Sequence, residues 1–551
     1  MSNSVRAHRA THAPDARFDP VLPEMKRAIE DHGSLDREAL RELAGDVHMP
    51  VAAVRGALSS YHDAHSAQGA VKVCAGTSCV LSGAGAVSRT LGERGTCQGV
   101  YCLGYCDRSP AAMSASGHVA APVGAHDLDS LLDDQPIPQP PPPSIRNEAR
   151  HAIVTARLLG TNDPGEAPEY AGLERARASR PEDVLAAIID SGVRGRGGAA
   201  FPTGQKLKVA AAAKGSPKYV VANGDEGDPG SFIDRELMER DPHGILEGMA
   251  IAAHAIGATE GIVFIRSEYP VSVRVTEQAI AAATHAGLLG ANALGPGKAF
   301  RVRVVQGMGS YVCGEETALL NAIEGQRGEV RPRPPYPVEQ GLFGKPTVVD
   351  NVETLVNFPW IVLHGAQAFN SMGTADSKGT KALCFNRGFA KPGIVEIEFG
   401  ATLRDAIERL GGGGANGTEL EAVLLGGPMG SIVTPDQWDA PICFAGMAKR
   451  GITLGHGGLV AIPRGSDWRM ILRHMLTFMR DESCGKCVPC RMGTLRAQEL
   501  AERGHAAGEP LRRILDLMKD ASLCAFGRET PGPILTILEK FGDRLTPGSR
   551  P

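Results

Sequence analysis

The sequence has no long hydrophobic run and no large excess of either charge. No apolar stretch approaches the roughly 18 residues that a membrane-spanning helix needs, and the first twenty residues lack the apolar segment of a secretory signal. With 58 basic and 62 acidic residues, the net charge of −4 gives no bulk attraction to nucleic acid or anionic lipid. We therefore expect a cytoplasmic protein with a disordered lead-in over residues 1–33, which neither binds nucleic acid nor inserts into a membrane.

Twelve cysteines without a secretory signal indicate a reducing compartment, where metal ligation is favoured over disulfide formation. Two pairs, Cys74-x4-Cys79 and Cys102-x3-Cys106, lie in glycine-rich turns. Four thiolates in two pairs suit a [2Fe–2S] cluster or zinc, and the wide spacing favours the cluster over zinc or an unoccupied remnant. Cys97, five residues before Cys102, leaves the choice of the third ligand open.

The second group of cysteines is compact. Cys484-x2-Cys487-x2-Cys490 is followed, after a helical pattern, by Cys524. Three close ligands and a remote fourth are typical of a [4Fe–4S] cluster, with zinc as the alternative. The remaining cysteines are expected to be small buried hydrophobic residues: Cys97, Cys313, Cys384 and Cys443.

Composition and periodicity predict several domains. Six prolines in eight residues over 136–143 indicate a polyproline II spacer, or alternatively a docking motif for a proline-recognition module. Helical stripes over 34–66 predict a small helical hairpin ahead of the first cysteines. The predicted divisions are a helical hairpin with the first cysteine domain (34–134), a linker (135–150), an α/β domain (151–370), a small α+β module (371–464) and a helical domain (465–551).

A glycine-rich loop, Arg194–Gly204, is the strongest nucleotide signal in the α/β domain. Its backbone N–H groups and its arginines predict a phosphate cradle. Gly195–Ala200 also fits the dinucleotide fingerprint, but that motif needs a strand before it and a helix after it. Here a helical pattern precedes the loop and Pro202 follows, so a nucleotide loop of another architecture is favoured over a Rossmann turn.

Alternating strand and helix patterns over 183–365 predict a parallel sheet, in which ligands bind at the carboxyl ends of the strands. One such end, Asn223–Gly230, carries three carboxylates in four residues. They suit ribose hydroxyls, a carboxamide or a flavin N–H, and the alternative is a solvated acidic turn. Another, Gly307–Thr317, runs into a helix start that favours a flavin phosphate, although Glu315 and Glu316 could merely balance the helix dipole. Taken alone, 345–354 predicts only a helix start.

Five long motifs carry a family resemblance: RGRGGAAFPTG, NGDEGDPGSF, YVCGEETAL, GLFGKPTVVDNVETL and ESCGKCVPCRMG. Residues 183–545 resemble the NADH-binding flavoprotein subunit of respiratory complex I, and the first cysteine region resembles its thioredoxin-like [2Fe–2S] domain. Together they most resemble the diaphorase (beta) subunit of soluble NAD-dependent formate dehydrogenases. The resemblance implies a multidomain α/β protein with a thioredoxin-like ferredoxin domain, a parallel-sheet FMN- and NAD-binding domain, a β-grasp-like module and a C-terminal helical bundle with an iron–sulfur site.

The resemblance also implies which residues hold each cofactor. Residues implied to contact FMN are Gly195, Arg196, Gly197, Lys206, Asn223, Asp225, Gly314, Glu315, Asn351 and Thr354. Residues implied to contact NAD are Phe201, Asp228, Glu316 and Tyr336, and further residues of the same cofactor-binding motifs are Gly198, Glu226, Tyr311, Val349 and Asp350. The cluster ligands are Cys74, Cys79, Cys102 and Cys106 for [2Fe–2S], and Cys484, Cys487, Cys490 and Cys524 for [4Fe–4S].

Four positions depart from the complex I pattern. Asp228 replaces a glutamate, Asp350 an asparagine, Ala200 a glycine, and Val209 an aromatic residue of the adenine pocket. The first substitution is common in the soluble dehydrogenase and hydrogenase relatives and favours them.

The implied activity is hydride exchange between nicotinamide and FMN, with no catalytic side-chain acid or base. FMN passes single electrons to the [4Fe–4S] cluster, while the [2Fe–2S] cluster is a side or relay centre. The implied partner is a molybdenum- or tungsten-containing formate dehydrogenase subunit, with a small additional iron–sulfur subunit. The alternatives are a hydrogenase module, complex I, or a zinc-binding scaffold with a vestigial pocket. Asp228 and Glu316 favour NAD over NADP because carboxylates disfavour a 2′-phosphate.

Overall fold

The computed structural model describes residues 21–32, 36–67, 69–160, 163–504 and 508–545. None of the helices within these ranges is both long and apolar enough to cross a bilayer. The strands of the same ranges form three sheets, of four, six and four strands. These sheets and a C-terminal group of helices agree with the predicted mixed α/β class.

The first cysteine domain contains a four-stranded sheet in the order Cys97–Val100, Val71–Cys74, Ala112–Met113, Val119–Ala120. Its first two strands are parallel and the others antiparallel. The helices of this domain are Thr77–Leu81, Ala84–Arg94 and Asp127–Leu132. The strand Val71–Cys74 delivers its cysteine to the carboxyl edge of the sheet, as the sequence predicted.

The N-terminal segment differs from the prediction in two ways. Leu22–His32 is a helix, whereas disorder was expected over the whole of 1–33; residues 1–20 and 33 lie outside the described ranges. Leu22 and Met25 are fully buried, and their apolar side chains explain why this segment folds against the protein. The predicted hairpin is present as Arg37–Asp46 and Val51–Leu58, but it packs on the later α/β domain and not on the cysteine domain.

The α/β domain is built on a parallel sheet in the order Arg301–Gln306, Glu260–Ile265, Tyr219–Gly224, Thr347–Asn351. The last strand was missed, because 345–354 predicted only a helix start; Thr347, Val348 and Val349 are buried in the sheet. The helices of this domain are Ala171–Arg177, Pro181–Ser191, Thr203–Ala212, Ile233–Arg240, Pro242–Ile256, Pro270–His285, Glu316–Ile323, Pro337–Gln340, Val352–Leu355, Asn357–His364 and Ala366–Asn370.

The six-stranded mixed sheet has the order Ser431–Val433, Leu420–Leu425, Gly458–Pro463, Thr380–Phe385, Gly393–Glu398, Ile145–Asn147. Its edge strand Ile145–Asn147 comes from the end of the predicted linker and pairs in parallel with Gly393–Glu398. That neighbouring strand is buried on both faces, not alternately as its sequence indicated, because the buried Glu396 accepts hydrogen bonds from the N–H groups of 153–155. The module also contains a π-helical turn, Asp405–Leu410, and the helix Phe444–Ala448.

The C-terminal domain is helical, as predicted, with the helices Trp468–Asp481, Val488–Glu502, Glu509–Ala521, Ala525–Glu529 and Pro531–Lys540. Its core includes the stacked rings of Trp468 and Phe541, whose centroids are 3.7 Å apart. This core continues onto the six-stranded sheet through Ala422, Leu424 and Val460. The domain boundaries proposed from the sequence stay predictions.

Candidate functional site

The glycine-rich loop leaves the helix Pro181–Ser191 and closes on itself before the helix Thr203–Ala212. The amide of Gly195 donates to the Phe201 carbonyl at 2.9 Å, and Arg194 pairs with Pro202 in an antiparallel bridge. A helix therefore precedes the loop, and the preference for another architecture over a Rossmann turn agrees with the structure. Gly204 lets the two helices meet, since a Cβ atom there would lie 2.7 Å from the Ile189 Cα.

The side chains of the two arginines of this loop donate to carbonyl oxygens, so in this structure the predicted phosphate cradle depends on the backbone. The Arg196 guanidinium is buried and donates to the carbonyls of Arg194 at 3.1 Å and Lys378 at 2.7 Å. Arg194 donates to the Ala200 carbonyl at 2.7 Å. Both cations are used to shape the loop because its carbonyl oxygens would otherwise lack partners in the interior.

The backbone of the loop retains the capacity to bind an anion. In the described part of the chain, the amides of Gly197, Gly198 and Ala199 have no hydrogen-bond acceptor. The backbone amide of Arg196 donates to Thr354 Oγ1 at 2.9 Å. A Cβ at Gly197 would lie 3.0 Å from the Asn351 Cβ, so the loop packs closely against Asn351. Three successive free amides form the kind of nest that holds phosphate.

The acidic loop after the strand Tyr219–Gly224 forms a second wall. The side-chain amide of Asn223 donates to the Gly314 carbonyl at 2.9 Å, and the backbone amide of Asp225 donates to Asn223 Oδ1 at 3.1 Å. The Asp225 Oδ2 atom is shielded from solvent without a partner among the described residues. Burial raises the pKa of Asp225 to about 8. A carboxyl group left in this state fits a ligand N–H or hydroxyl that completes its hydrogen bonding.

A third wall centres on the buried ammonium group of Lys206. It donates to the Val349 carbonyl at 2.6 Å and lies 3.3 Å from Asp350 Oδ1 and 3.7 Å from Glu316 Oε2. Burial alone lowers the pKa of Lys206, but the two carboxylates raise it above its usual value. Burial raises the pKa of Asp350, whose Oδ2 lacks a partner among the described residues.

Glu315 and Glu316 differ in what they contact. The Glu315 carboxylate caps the helix Glu316–Ile323 by accepting from the amides of Thr317 at 2.9 Å and Ala318 at 3.1 Å. It also pairs with Arg333, which lies 3.2 Å from Glu316 as well. Glu315 therefore interacts with the start of the helix, as the alternative from the sequence allowed, whereas Glu316 lies beside Lys206.

The residues implied to hold adenine are exposed. Phe201 and Tyr336 are 53% and 51% exposed, and Val209 is 43% exposed. Large apolar side chains that remain this exposed offer stacking area to a ligand. Their role in binding the nucleotide stays a prediction.

Sequence reasoning missed a buried polar network at the base of the site. His456 lies 3.2 Å from Asp234 Oδ2 through Nε2 and 3.7 Å from Glu226 Oε1 through Nδ1. The Asn351 amide donates to the same Asp234 oxygen at 2.5 Å. Glu226 accepts from the amides of Asp234 and Arg235 at 3.2 and 3.1 Å. His456 lies in a glycine-rich turn of the α+β module, far away in sequence, and no local motif marked it.

Tyr311 connects the acidic loop to the C-terminal cysteines. Its hydroxyl donates to Asp228, and its ring packs against Phe478 and Phe526 with centroid separations of 5.0 and 5.8 Å. Burial raises the pKa of Asp228. A Cβ at Gly227 would lie 2.6 Å from the Tyr311 ring, which explains the glycine there.

The four N-terminal cysteines converge in one buried site. Cys102 Sγ lies 3.9 Å from Cys74 Sγ and 3.5 Å from Cys106 Sγ, and all four thiols are buried. Cys79 shares this cluster, and its proximity to Cys74 affects the pKa values of both thiols. Cys97 is instead directed to Ser88, whose carbonyl lies 3.4 Å from its sulfur, and does not join the group. Cys102, and not Cys97, therefore lies with the other three cysteines, and its role as the third ligand stays a prediction.

The C-terminal cysteines also come together. Cys487 and Cys524 each lie immediately before a helix, and both pack with Cys490 around Phe478 and Phe526. The Leu523 amide lies 3.5 Å from Cys487 Sγ. Cys484 packs with Cys524 against the start of the helix Glu316–Ile323. The set joins three thiols on one turn to a remote fourth, the arrangement suited to a cubane cluster.

Comparison with known families accounts for most of the chain. Residues 188–360 match the Nuo51 FMN-binding domain, 470–547 the NADH-ubiquinone oxidoreductase-F iron–sulfur binding region, and 7–135 the thioredoxin-like [2Fe–2S] ferredoxin. The protein thus has an FMN-binding domain, a [2Fe–2S] domain and a [4Fe–4S] domain, and the predicted cofactors FMN, NAD, [2Fe–2S] and [4Fe–4S] are confirmed at this level.

Individual relatives extend the match. The HndC subunit of an NADP-reducing hydrogenase from Solidesulfovibrio fructosivorans is 39% identical over 72% of this chain and 83% of its own length. An NADH-quinone oxidoreductase subunit of Rhizobium meliloti is 39% identical over 68% of this chain and 90% of its own. A crystal structure of an H2-reduced NAD+-reducing [NiFe]-hydrogenase superposes with a TM-score of 0.83 at 29% identity, covering 96% of this chain and 92% of the other. The chain belongs to the family of FMN- and iron–sulfur-containing flavoprotein subunits found in the NADH-quinone oxidoreductases and the NAD(P)-reducing hydrogenases.

Proposed function

We propose that this protein is the diaphorase subunit of a multisubunit enzyme, exchanging electrons between NAD(H) and iron–sulfur clusters through FMN. The observation that carries the proposal is the position of Tyr311. Its hydroxyl binds Asp228 in the acidic loop, while its ring packs on Phe526, two residues from Cys524. Packed aromatic side chains therefore connect the acidic loop to the segment that carries Cys524.

The residues of the chain bind and orient the cofactors. The free amides at 197–199 would hold the FMN phosphate, and Asp225 and Asn351 would face the flavin ring system, with Lys206 beside them. Phe201 and Tyr336 would flank the adenine of NAD. Bound FMN supplies the hydride chemistry and exchanges single electrons with the clusters, so no side-chain acid or base is required.

The eight converging cysteines would hold one cluster of each type. The [4Fe–4S] cluster, adjacent to Tyr311, is the proposed direct partner of the flavin, and the [2Fe–2S] cluster is a side or relay centre. Free thiols that serve as cluster ligands support a reducing compartment, the cytoplasm.

The electron donor is the finer part of the proposal. We infer a molybdenum- or tungsten-containing formate dehydrogenase subunit. Asp228, which replaces the glutamate usual in complex I, favours a soluble dehydrogenase or hydrogenase over complex I. The second candidate is a hydrogenase module, favoured by the similarity to HndC and to the alpha subunit of the NAD-reducing hydrogenase HoxS from Cupriavidus necator, 39% identical over 67% of this chain and 61% of its own length. Complex I is the third. The donor substrate would be handled outside this chain.

The proposed nucleotide is NAD. The Glu316 carboxylate lies beside Lys206 and Arg333, and we propose that it accepts hydrogen bonds from the ribose hydroxyls of NAD. Since HndC is named as part of an NADP-reducing enzyme, the comparison of NADH with NADPH is an essential test. We expect NADH to give the higher kcat/KM.

The first experiment is a visible spectrum of anaerobically purified protein before and after NADH, with flavin, iron and zinc quantified. We expect about one FMN and about six irons per chain, the sum of the two cluster types, and bleaching of both flavin and cluster bands. About four irons would leave the activity in place with an empty [2Fe–2S] site. A colourless zinc protein would overturn the proposal in favour of a scaffold.

The donor is tested by purifying the native complex and assaying NAD+ reduction with formate or with H2. Formate-dependent reduction with molybdenum or tungsten in the preparation supports the first candidate. Hydrogen-dependent reduction with nickel or a di-iron site overturns it and supports the second.

A further inference from the structure

His456 lies where three parts of the candidate flavin site meet. Gly455, the preceding residue, approaches the glycine-rich loop, and a Cβ at Gly198 would lie 3.6 Å from the Gly455 carbonyl carbon. The imidazole reaches Asp234 at 3.2 Å and Glu226 at 3.7 Å, and the Asn351 side-chain nitrogen is 3.4 Å away. The imidazole is buried, so these neighbours and not water determine its charge.

Without a positive charge on His456, the buried groups around it would carry an excess of negative charge. The negative charges near the ring are those of Asp234, Glu226 and Asp228, the last two from the same loop. The positive charge that acts against them is that of Lys381. Lys381 is itself paired with the fully buried Glu353. The carboxylates of Glu226 and Asp234 both contact the imidazole. Among the described residues, the imidazole is the only cationic side chain that either of them contacts.

Electrostatics agree with this geometry. Burial alone lowers the pKa of His456, but Asp234 and Glu226 raise it to about 9. Burial raises the pKa of Glu226 to about 7 despite the opposing effect of the imidazole. At neutral pH the ring carries a proton.

We propose that His456 is a positioning residue for the flavin: its protonated imidazole balances the buried carboxylates of Glu226 and Asp234 and thereby raises the reduction potential of the bound FMN. Reduction adds negative charge to the flavin site, and a fixed positive charge nearby favours that addition. The inference rests on the proposed function, since it requires FMN to bind next to the glycine-rich loop and Asn351.

The same three side chains place ligand atoms within 4.8 Å of one another, as a metal site would. The ion pair at 3.2 Å already uses the histidine nitrogen and the Asp234 oxygen, and Asn351 donates to that oxygen. A protonated ring is no metal ligand, so charge balance is the simpler use of the cluster.

The test is a redox titration of the flavin in the full-length protein carrying FMN. The variants are His456→Gln, which leaves two carboxylates unbalanced, and the double variant His456→Gln/Asp234→Asn, which removes one of them. His254→Gln is the matched control, because His254 is also buried but binds the Ser179 carbonyl at 3.2 Å, away from the network.

We expect His456→Gln to lower the flavin midpoint potential by at least about 30 mV, which is a tenfold change in a two-electron equilibrium. The double variant should recover the wild-type potential, and His254→Gln should retain it. The wild-type potential should fall more steeply above about pH 9, where His456 loses its proton, and His456→Gln should lack this break.

An unchanged potential in His456→Gln, or no recovery in the double variant, would overturn the proposal. If His456→Gln does not retain FMN, the flavin content of the double variant decides: recovered content supports charge balance, and unrecovered content contradicts it. Absence of FMN from both the wild type and His254→Gln would instead contradict the proposed function.

Discussion

The amide nitrogen of Gly230 lies 3.2 Å from the sulfur of Cys106. Gly230 ends the acidic loop of the α/β domain, and Cys106 belongs to the thioredoxin-like domain, so this contact joins two domains at their candidate cofactor sites. The loop contributes Pro229 as well, since a Cβ at Gly76 would lie 3.3 Å from its Cβ. Hydrogen bonds to ligand sulfurs influence the potential of a cluster, and the acidic loop would supply one such bond to a cluster held by Cys106.

Replacing Cys106 by serine should remove the [2Fe–2S] cluster selectively. The iron content should fall from about six to about four per chain, while FMN and its reduction by NADH remain. Iron analysis and electron paramagnetic resonance of the NADH-reduced protein measure this. Cys97→Ser is the control, because Cys97 is directed to Ser88 and should keep all the iron. Loss of iron in the control, or none in Cys106→Ser, would contradict the ligand assignment.

Replacing Tyr311 by phenylalanine should weaken NADH binding, because the Asp228 carboxylate loses its hydroxyl donor. A hydrogen bond to a charged group contributes about 1.5–3 kcal/mol, so KM should rise about ten- to a hundredfold. The hydroxyl lowers the pKa of Asp228, so its loss should move the acid limb of the kcat/KM profile to higher pH.

Tyr61→Phe is the matched control for Tyr311→Phe, since the Tyr61 hydroxyl donates to the Gln326 carbonyl away from the site. Its KM and pH profile should equal those of the wild type. Equal kinetics in Tyr311→Phe and Tyr61→Phe would show that the contact with Asp228 is irrelevant to nucleotide binding.

The buried Asp225 should make the FMN-free protein less stable as the pH rises. Its pKa in the folded protein is raised to about 8 from 3.8, so the folded state holds a proton that the unfolded state releases. Stability is therefore lost between about pH 4 and pH 8. Asp225→Asn should melt at a higher temperature than the wild type at pH 8, with the difference vanishing near pH 4.

Asp376 provides the control of opposite sign. Its carboxylate accepts from the Ala445 amide at 2.7 Å and from Ser377 and Thr374, and these bonds lower its pKa although burial opposes them. Asp376→Asn should therefore lower the melting temperature at neutral pH, and the difference should shrink as the pH falls below the usual aspartate range. A pH-independent effect of Asp225→Asn would rule out the raised pKa as its cause.

Removing one partner of the buried pair formed by Lys381 and Glu353 should destabilise the protein. Both side chains are almost completely shielded from solvent, and the Lys381 ammonium contacts the Glu353 carboxylate. Lys381→Met should lower the free energy of unfolding by about 3–5 kcal/mol. Denaturant titration measures the loss, and Lys381→Met/Glu353→Gln should recover part of it. Lys391→Met, at an exposed lysine, should have no measurable effect.

The sequence predicted best what depends on spacing. The two cysteine groups converge as expected, because cysteines three to five residues apart in a short turn have few ways to orient their thiols. The parallel sheet also agrees with the prediction. The strand Thr347–Asn351 was missed since the polar end of a short apolar run resembles a helix cap, and Asn351 does cap the following helix.

Long-range partners could not be predicted. His456 enters the site from the α+β module, more than 200 residues after Glu226, and no local pattern states that the two side chains meet. Arg196 matches an anion-binding motif, yet two of its guanidinium nitrogens donate to the carbonyls of Arg194 and Lys378. In both cases tertiary packing decides which partner a polar side chain finds, and a motif fixes only its position in the chain.

The thioredoxin-like domain is fastened to the rest of the protein at both of its ends. Before it, the Val21 amide donates to the Ile323 carbonyl and the His62 amide to the Gly309 carbonyl, each at 2.9 Å. After it, the strand Ile145–Asn147 is built into the six-stranded sheet. A domain that is attached at both ends cannot rotate about a single hinge, and the proline-rich segment acts as a rigid spacer between two fixed points. The distance between its cluster and the electron-transfer partner would then be constant, because the fold sets it and the domain does not dissociate.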